Sequence, residues 1–162
     1  MPIFTFDSLA LTLSIRTQNK HHKQKIMYPE YLVAPMREDL TQVGFQDLKN
    51  PEEVEAAIAS EGTTFVVINS VCGCAASNAR PAAKIAAQHT KHPDKLITVF
   101  AGVEKAAVDQ ARSHMLPYPP SSPSMAVFKD GKLVHIIERH QIEGRPAQMI
   151  ADNLIGAFEQ YC

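Results

Sequence analysis

Apolar positions along the chain fall into stretches of two periods, and Gly, Pro and Asn mark the changes between them. Leu32, Met36, Leu40 and Val43 recur at helical spacing until Gly44 stops them, with Pro35 placed in the first turn. Asn50-Pro51-Glu52-Glu53 predicts a helix start: a capping side chain, a proline at the first helical position, and acids facing the positive dipole end. That helix runs to about Ser60 and stops at Glu61-Gly62. Thr64-Phe65-Val66-Val67-Ile68-Asn69 is β-branched and nearly continuous, as suits a strand covered on both faces. A helix from Cys74 to about Gln88 follows, interrupted by Pro81, and Leu96–Ala101 is a second buried strand. Glu104 to about Met115 predicts another helix, with Val108, Ala111 and Met115 on one face.

The pattern then changes. Met125–Phe128 and Leu133–Ile137 read as strands joined across Lys129-Asp130-Gly131-Lys132, and Asp-Gly is a tight-hairpin signal. A last helix opens at Pro146 and buries Ile150, Leu154, Ala157, Phe158 and Tyr161. From Thr64 the order is strand, helix, strand, helix, hairpin, helix. A parallel βαβ unit followed by a ββα unit predicts an α/β fold, one mixed sheet with helices on both faces and extra helices before it. That is the thioredoxin-like plan.

The chemistry is concentrated in Val71-Cys72-Gly73-Cys74-Ala75-Ala76, where a buried strand ends and a helix begins. Sites in open α/β sheets lie at the carboxyl ends of strands. A thiol there meets unpaired backbone N–H groups and the positive end of the helix dipole, and both favour the attacking thiolate. Cys72 is the expected nucleophile, just outside the helix, and Cys74 lies in its first turn; Gly73 is expected to let the backbone bend sharply between them. No Lys, Arg or His stands within five residues of Cys72, so stabilisation must come from the helix end or from spatial neighbours. A Cys-X-Cys disulfide closes a small ring of poor geometry, which makes an oxidising couple or a transient second thiol. Two other readings stand beside this one: two structural cysteines, and a zinc or copper(I) site begun by two thiolates. The metal reading lacks ligands, because His89 and His92 are the nearest downstream histidines and Cys162 is the chain end, so no metal is expected.

Composition narrows the classes without naming a function. The chain has 162 residues, 45% of them hydrophobic, which fits one ordinary domain with a real core. No apolar run approaches the ~20 residues of a membrane span, and a net charge of -1 gives no global pull toward nucleic acid or lipid. Three cysteines are too few for a disulfide-stapled scaffold, so a reducing cytoplasm is the expected location. Residues 1–27 set one acid against four bases, a balance of +3 that leaves -4 for the remainder, and they hold no glycine or cysteine. Their apolar-then-basic order is the reverse of a secretory signal. They are read as a disordered extension, a start placed upstream of Met27, or a targeting segment. Residues 28–162 are expected to form a single domain.

Val67-Ile68-Asn69-Ser70-Val71-Cys72-Gly73-Cys74-Ala75-Ala76 and Ala79-Arg80-Pro81-Ala82-Ala83 resemble the bacilliredoxins, thioredoxin-like proteins acting on bacillithiol mixed disulfides. So do Val99-Phe100-Ala101-Gly102, Ser121-Ser122-Pro123-Ser124-Met125-Ala126, Arg139-His140-Gln141-Ile142-Glu143-Gly144 and the closing Cys162; the likeness begins at about Tyr28. The resemblance implies that Cys72 attacks the protein-bound mixed disulfide and takes the small thiol, and that Cys74 resolves the adduct. It implies a cis Ser122-Pro123 bond in the loop facing Cys72, and makes Gly73, Ser122, Pro123 and Arg139 substrate-binding residues. Arg139 would pair with a bacillithiol carboxylate. Arg80 is a second arginine considered for the site; Asn69 is expected to cap backbone, and Cys162 to be incidental or a recruited resolving thiol. No bound cofactor is implied, only bacillithiol as co-substrate. Implied partners are S-thiolated client proteins and a flavin-dependent disulfide reductase, with neither nucleic acid nor membrane. The alternatives carried forward are an isomerase or oxidant using the Cys72–Cys74 couple, and a metal carrier.

Overall fold

A computed structural model describes residues 28–162, so the readings of residues 1–27 lie outside the described residues. In chain order the elements are α1 (Glu30–Thr41), β1 (Gln46–Asp47), α2 (Pro51–Ala59) and β2 (Thr63–Asn69). A π-helical turn (Ala75–Ala79) then leads into α3 (Arg80–Ala87), followed by β3 (Lys95–Phe100) and α4 (Lys105–Ser113). The chain closes with β4 (Ser124–Lys129), β5 (Lys132–Ile137), α5 (Arg139–Ile142) and α6 (Ala147–Tyr161). The strands form one sheet in the order β1-β3-β2-β4-β5. β1, β3 and β2 run parallel, whereas β4 lies antiparallel to β2 and β5 antiparallel to β4. This is the thioredoxin-like arrangement that the periodicity predicts.

β2 is buried at every residue because it lies in the middle of the sheet with helices on both faces. Its side chains alternate between two cores. Phe65 and Val67 pack with alanines of α3 and with Ile150, Leu154 and Phe158 of α6. Val66 and Ile68 pack with Val54 and Ile58 of α2 and Ala107, Val108 and Ala111 of α4. Phe65 meets Phe45 and Phe158 edge-on, with ring centres 5.6 and 5.3 Å away, the geometry that aromatic quadrupoles favour.

Several local expectations hold in detail. Asn50 Oδ1 accepts the Glu53 N–H at 2.9 Å, capping α2. The hairpin turns through Asp130 and Gly131, both at positive φ (50° and 75°), as a two-residue primed turn requires. Asp130 is tied to the start of β2, its N–H donating to Gly62 O and its Oδ1 accepting from Gly62 N–H, both at 2.8 Å.

Two expectations need correction. Pro35 lies inside α1, not in its first turn, and the buried face of α1 is Val33, Arg37 and Leu40 while Leu32 is exposed. The reason is a buried arginine. Arg37 Nη1 bonds Asp47 at 2.9 Å, Nη2 bonds Glu104 at 2.5 Å, and the guanidinium stacks 5.1 Å from the Phe100 ring centre. A charge this well paired can sit where periodicity expects an apolar residue. After β5 the chain forms α5, one helical turn closed by a capping box between Glu138 and Gln141. Two-residue β1 was not predicted, being too short to show a period. Among the described residues, no helix is long and apolar enough to cross a membrane.

Candidate active site

β2 delivers the chain to the site through Asn69, whose side chain is buried beneath the turn that follows. Asn69 Nδ2 donates to Met36 O at 3.1 Å, and Oδ1 accepts from Ser70 N–H at 2.9 Å and from Arg80 Nη1 at 3.1 Å. Arg80 Nη1 also donates to Ser70 O at 3.1 Å, and its Nε to Asp39 at 3.2 Å. Asp39 takes a further bond from Lys84 at 2.6 Å. Burial alone would raise the Asp39 carboxyl, but the hydrogen bonds and charges of Lys84 and Arg80 outweigh it and hold the group below its ordinary value. Arg80 is therefore a buried clamp on the strand-to-helix turn. It is not a surface available to substrate.

That clamp positions Cys72. Its Sγ accepts the Ala75 N–H and the Ser70 hydroxyl, both at 3.3 Å, while its carbonyl accepts the N–H groups of Ala75 and Ala76. The sulfur thus takes the place of a capping side chain at a helix start. Cys72 and Cys74 are joined by a disulfide with Cα atoms 5.4 Å apart. Once that bond is reduced, the same N–H and O–H donors favour charge on the Cys72 sulfur.

The expected role of Gly73 needs correction. It is not among the residues at positive φ, and a Cβ there would meet nothing within 4 Å. The backbone does not demand a glycine at this turn.

A cavity of about 300 Å³ opens beside the sulfur, and its wall includes Cys72, Ser70, Tyr28, Ser122, Arg112 and Arg139. They converge because the segments after β2, β3 and β5 and the loop before β4 all reach the same end of the sheet. The Ser122–Pro123 bond is cis, as is Leu116–Pro117, which was not anticipated. Pro123 is buried and Ser122 is on the wall. Arg139 is held against that loop: its Nη1 donates to Ser122 O at 3.2 Å, its N–H to Ser121 Oγ at 3.4 Å, and its Nε to Glu143 at 3.3 Å.

Arg112 on α4 is a charged wall residue that sequence reasoning missed. A cation in a last helical turn reads as an ordinary dipole partner, and only its i+4 position after the buried Val108 hinted at the interior. Cys162 lies elsewhere. Its thiol neighbours Thr63, at the start of β2, and burial is the chief cause raising it above the ordinary thiol value. Thr63 and Asn69 are separated by the length of β2, roughly 20 Å at ~3.3 Å per residue, so Cys162 cannot resolve an adduct on Cys72 of its own chain. Among the described residues, no three His, Cys, Asp or Glu side chains come together as a metal site.

Known proteins similar to this chain in sequence or in fold are numerous. A bacilliredoxin of Cytophaga hutchinsonii is 58% identical over 134 residues, which cover 83% of this chain and 99% of that one. The chain belongs to the bacilliredoxin family. A bacilliredoxin of Halalkalibacterium halodurans is 54% identical over 83% of this chain and 94% of its own length. The family model described as "Disulphide isomerase" matches residues 28–162. Among solved structures, a thioredoxin of Trypanosoma brucei brucei superposes with a TM-score of 0.53 at 18% identity, covering 72% of this chain and 92% of that one. At that identity the likeness speaks for the fold alone.

Proposed function

We infer that this family member is a cytoplasmic thiol–disulfide oxidoreductase that removes bacillithiol from S-thiolated client proteins. The observation that carries the reading is the Cys72 sulfur, capped by two donors at a helix start and set on the wall of a small-molecule-sized cavity. In the reduced enzyme the Cys72 thiolate attacks the bacillithiol sulfur of the mixed disulfide. The client–bacillithiol S–S bond breaks, a Cys72–bacillithiol bond forms, and the client leaves as a thiolate that takes a proton. Cys74 then attacks Cys72 Sγ, expels bacillithiol, and forms the Cys72–Cys74 disulfide. Two electrons must return to that disulfide, from two further bacillithiol molecules or from a flavin-dependent disulfide reductase. No bound cofactor takes part.

The description of the matching family favours a second reading, in which the same thiolate shuffles disulfides between protein thiols. Intact-mass analysis of Cys74→Ala protein mixed with a bacillithiolated client separates the two. Removal of bacillithiol predicts one bacillithiol on Cys72, no adduct in Cys72→Ser, and no refolding of a scrambled disulfide protein without added small thiol. A bare Cys72, together with refolding in the absence of small thiol, selects the isomerase.

A further inference from the structure

Arg112 stands on the wall of the Cys72 cavity and on the wall of a second, adjoining hollow lined by Met115, Leu116, Tyr118 and Pro120. Its guanidinium carries five donors. One makes a long bond, Nη2 to Ser121 O at 3.5 Å, and Nε is buried with no acceptor. Among the described residues Arg112 forms no salt bridge; the acid that acts on it is Asp109, which is itself paired with Lys105. Desolvation is the main cause holding the group below the ordinary arginine value, with Asp109 opposing it. The two buried arginines among the described residues are met by acids: Arg37 by Asp47 and Glu104, and Arg80 by Asp39. Arg139, on the same wall, has Glu143 and a carbonyl as partners, and among the described residues no acidic residue is on the cavity wall. A half-buried cation with free donors, sharing with a second cation the wall of a space for a small molecule, lacks its anion.

We propose that Arg112, together with Arg139, binds a carboxylate of the small thiol, so that the cavity selects carboxylate-bearing low-molecular-weight thiols while their sulfur lies at Cys72. The assignment rests on the reading of this site as one that takes a small thiol from a client. It adds a residue on a different element from those already implicated, and a reason for selectivity. Arg112 supplies a planar fork suited to a carboxylate; Arg139, more exposed and already paired, adds charge at the rim.

The test compares one client protein thiolated with bacillithiol or with carboxyl-esterified bacillithiol, and reads kcat/KM for removal of each. Wild type should favour the acid over the ester, and Arg112→Gln should lower that acid-to-ester ratio by about 10- to 100-fold, the loss expected for a charge-assisted hydrogen bond. Arg112→Lys, which keeps the charge without the fork and disturbs folding less, should fall between them. An unchanged ratio in both variants, or equal losses on acid and ester, overturns the assignment. If wild type moves neither thiol onto Cys72, the underlying reading fails with it; transfer of both without discrimination sinks only the role of Arg112.

Discussion

Ser70 and Ala75 offer the Cys72 sulfur two donors of different kinds, a hydroxyl that can be removed by substitution and a backbone N–H that cannot. In a Cys74→Ala background, Ser70→Ala should slow alkylation of Cys72 at pH 7 by about 3- to 10-fold, since one of two hydrogen bonds to the charged form is lost. Iodoacetamide labelling followed by mass spectrometry reads this directly, and an unchanged rate would remove the hydroxyl from the account. At this scale the cysteines were legible because a Cys-Gly-Cys turn after a buried strand announces itself locally, whereas Ser122 and Arg139 were reached through the family resemblance, and the structure sets both on the cavity wall. Ser70 and Arg112 were not legible. Their importance lies in what other segments bring to them, and neither stands in a pattern that a one-dimensional reading would separate from a turn serine or a helix-ending cation.

Elements were read well wherever one period ran long enough. β2, β3, α2, α4 and the hairpin fall within a few residues of the predicted spans. α1 was read with Leu40 correctly buried but Leu32 wrongly inside, since Arg37 occupies a core position through its pairing with Asp47 and Glu104, residues distant from it in the chain. The hairpin was legible because its turn is encoded by two residues. Gly131→Ala tests that encoding. With φ at +75° and a new Cβ 3.5 Å from Ala59 Cα, the substitution should cost about 1–2 kcal/mol, chiefly from the left-handed backbone. Urea unfolding measures it; a midpoint equal to wild type would mean that the turn relaxes to another type.

On the scale of the whole molecule, chemistry and fastening are placed at opposite ends of the sheet. The reactive sulfur follows the last residue of β2, while the first residue of that strand is locked to the entry of β3. Asp94 accepts the Thr63 N–H at 2.7 Å and the Thr63 hydroxyl at 2.8 Å, and its own N–H donates to that hydroxyl at 3.0 Å. The backbone bond from Thr63, followed by its hydroxyl, holds the Asp94 carboxyl below its ordinary value. A carboxyl lowered on folding adds stability above its unfolded value, and that contribution is lost as pH falls through the folded one. Asp94→Asn should therefore lose on the order of 1 kcal/mol or less near pH 7, the exposed position limiting the effect. It should also show a shallower decline in urea midpoint below about pH 4 than wild type. Thiol transfer at pH 7 should be the same in both proteins, and a parallel loss of activity would contradict the separation of the two ends.

The π-helical turn between the cysteines and Arg80 works as a spacer of set length. Its hydrogen bond, from Arg80 N–H back to Ala75 O, encloses one residue more than an α-turn would. The wide turn comes just before Pro81, whose ring has no N–H to give and would crowd the carbonyl four residues earlier in a regular helix. Only with that extra residue do the capped sulfur at the front of the helix and the arginine clamping Asn69 from behind face the same end of β2. A chain that kept both cysteines and the arginine but dropped one residue between them would rotate the arginine off that end.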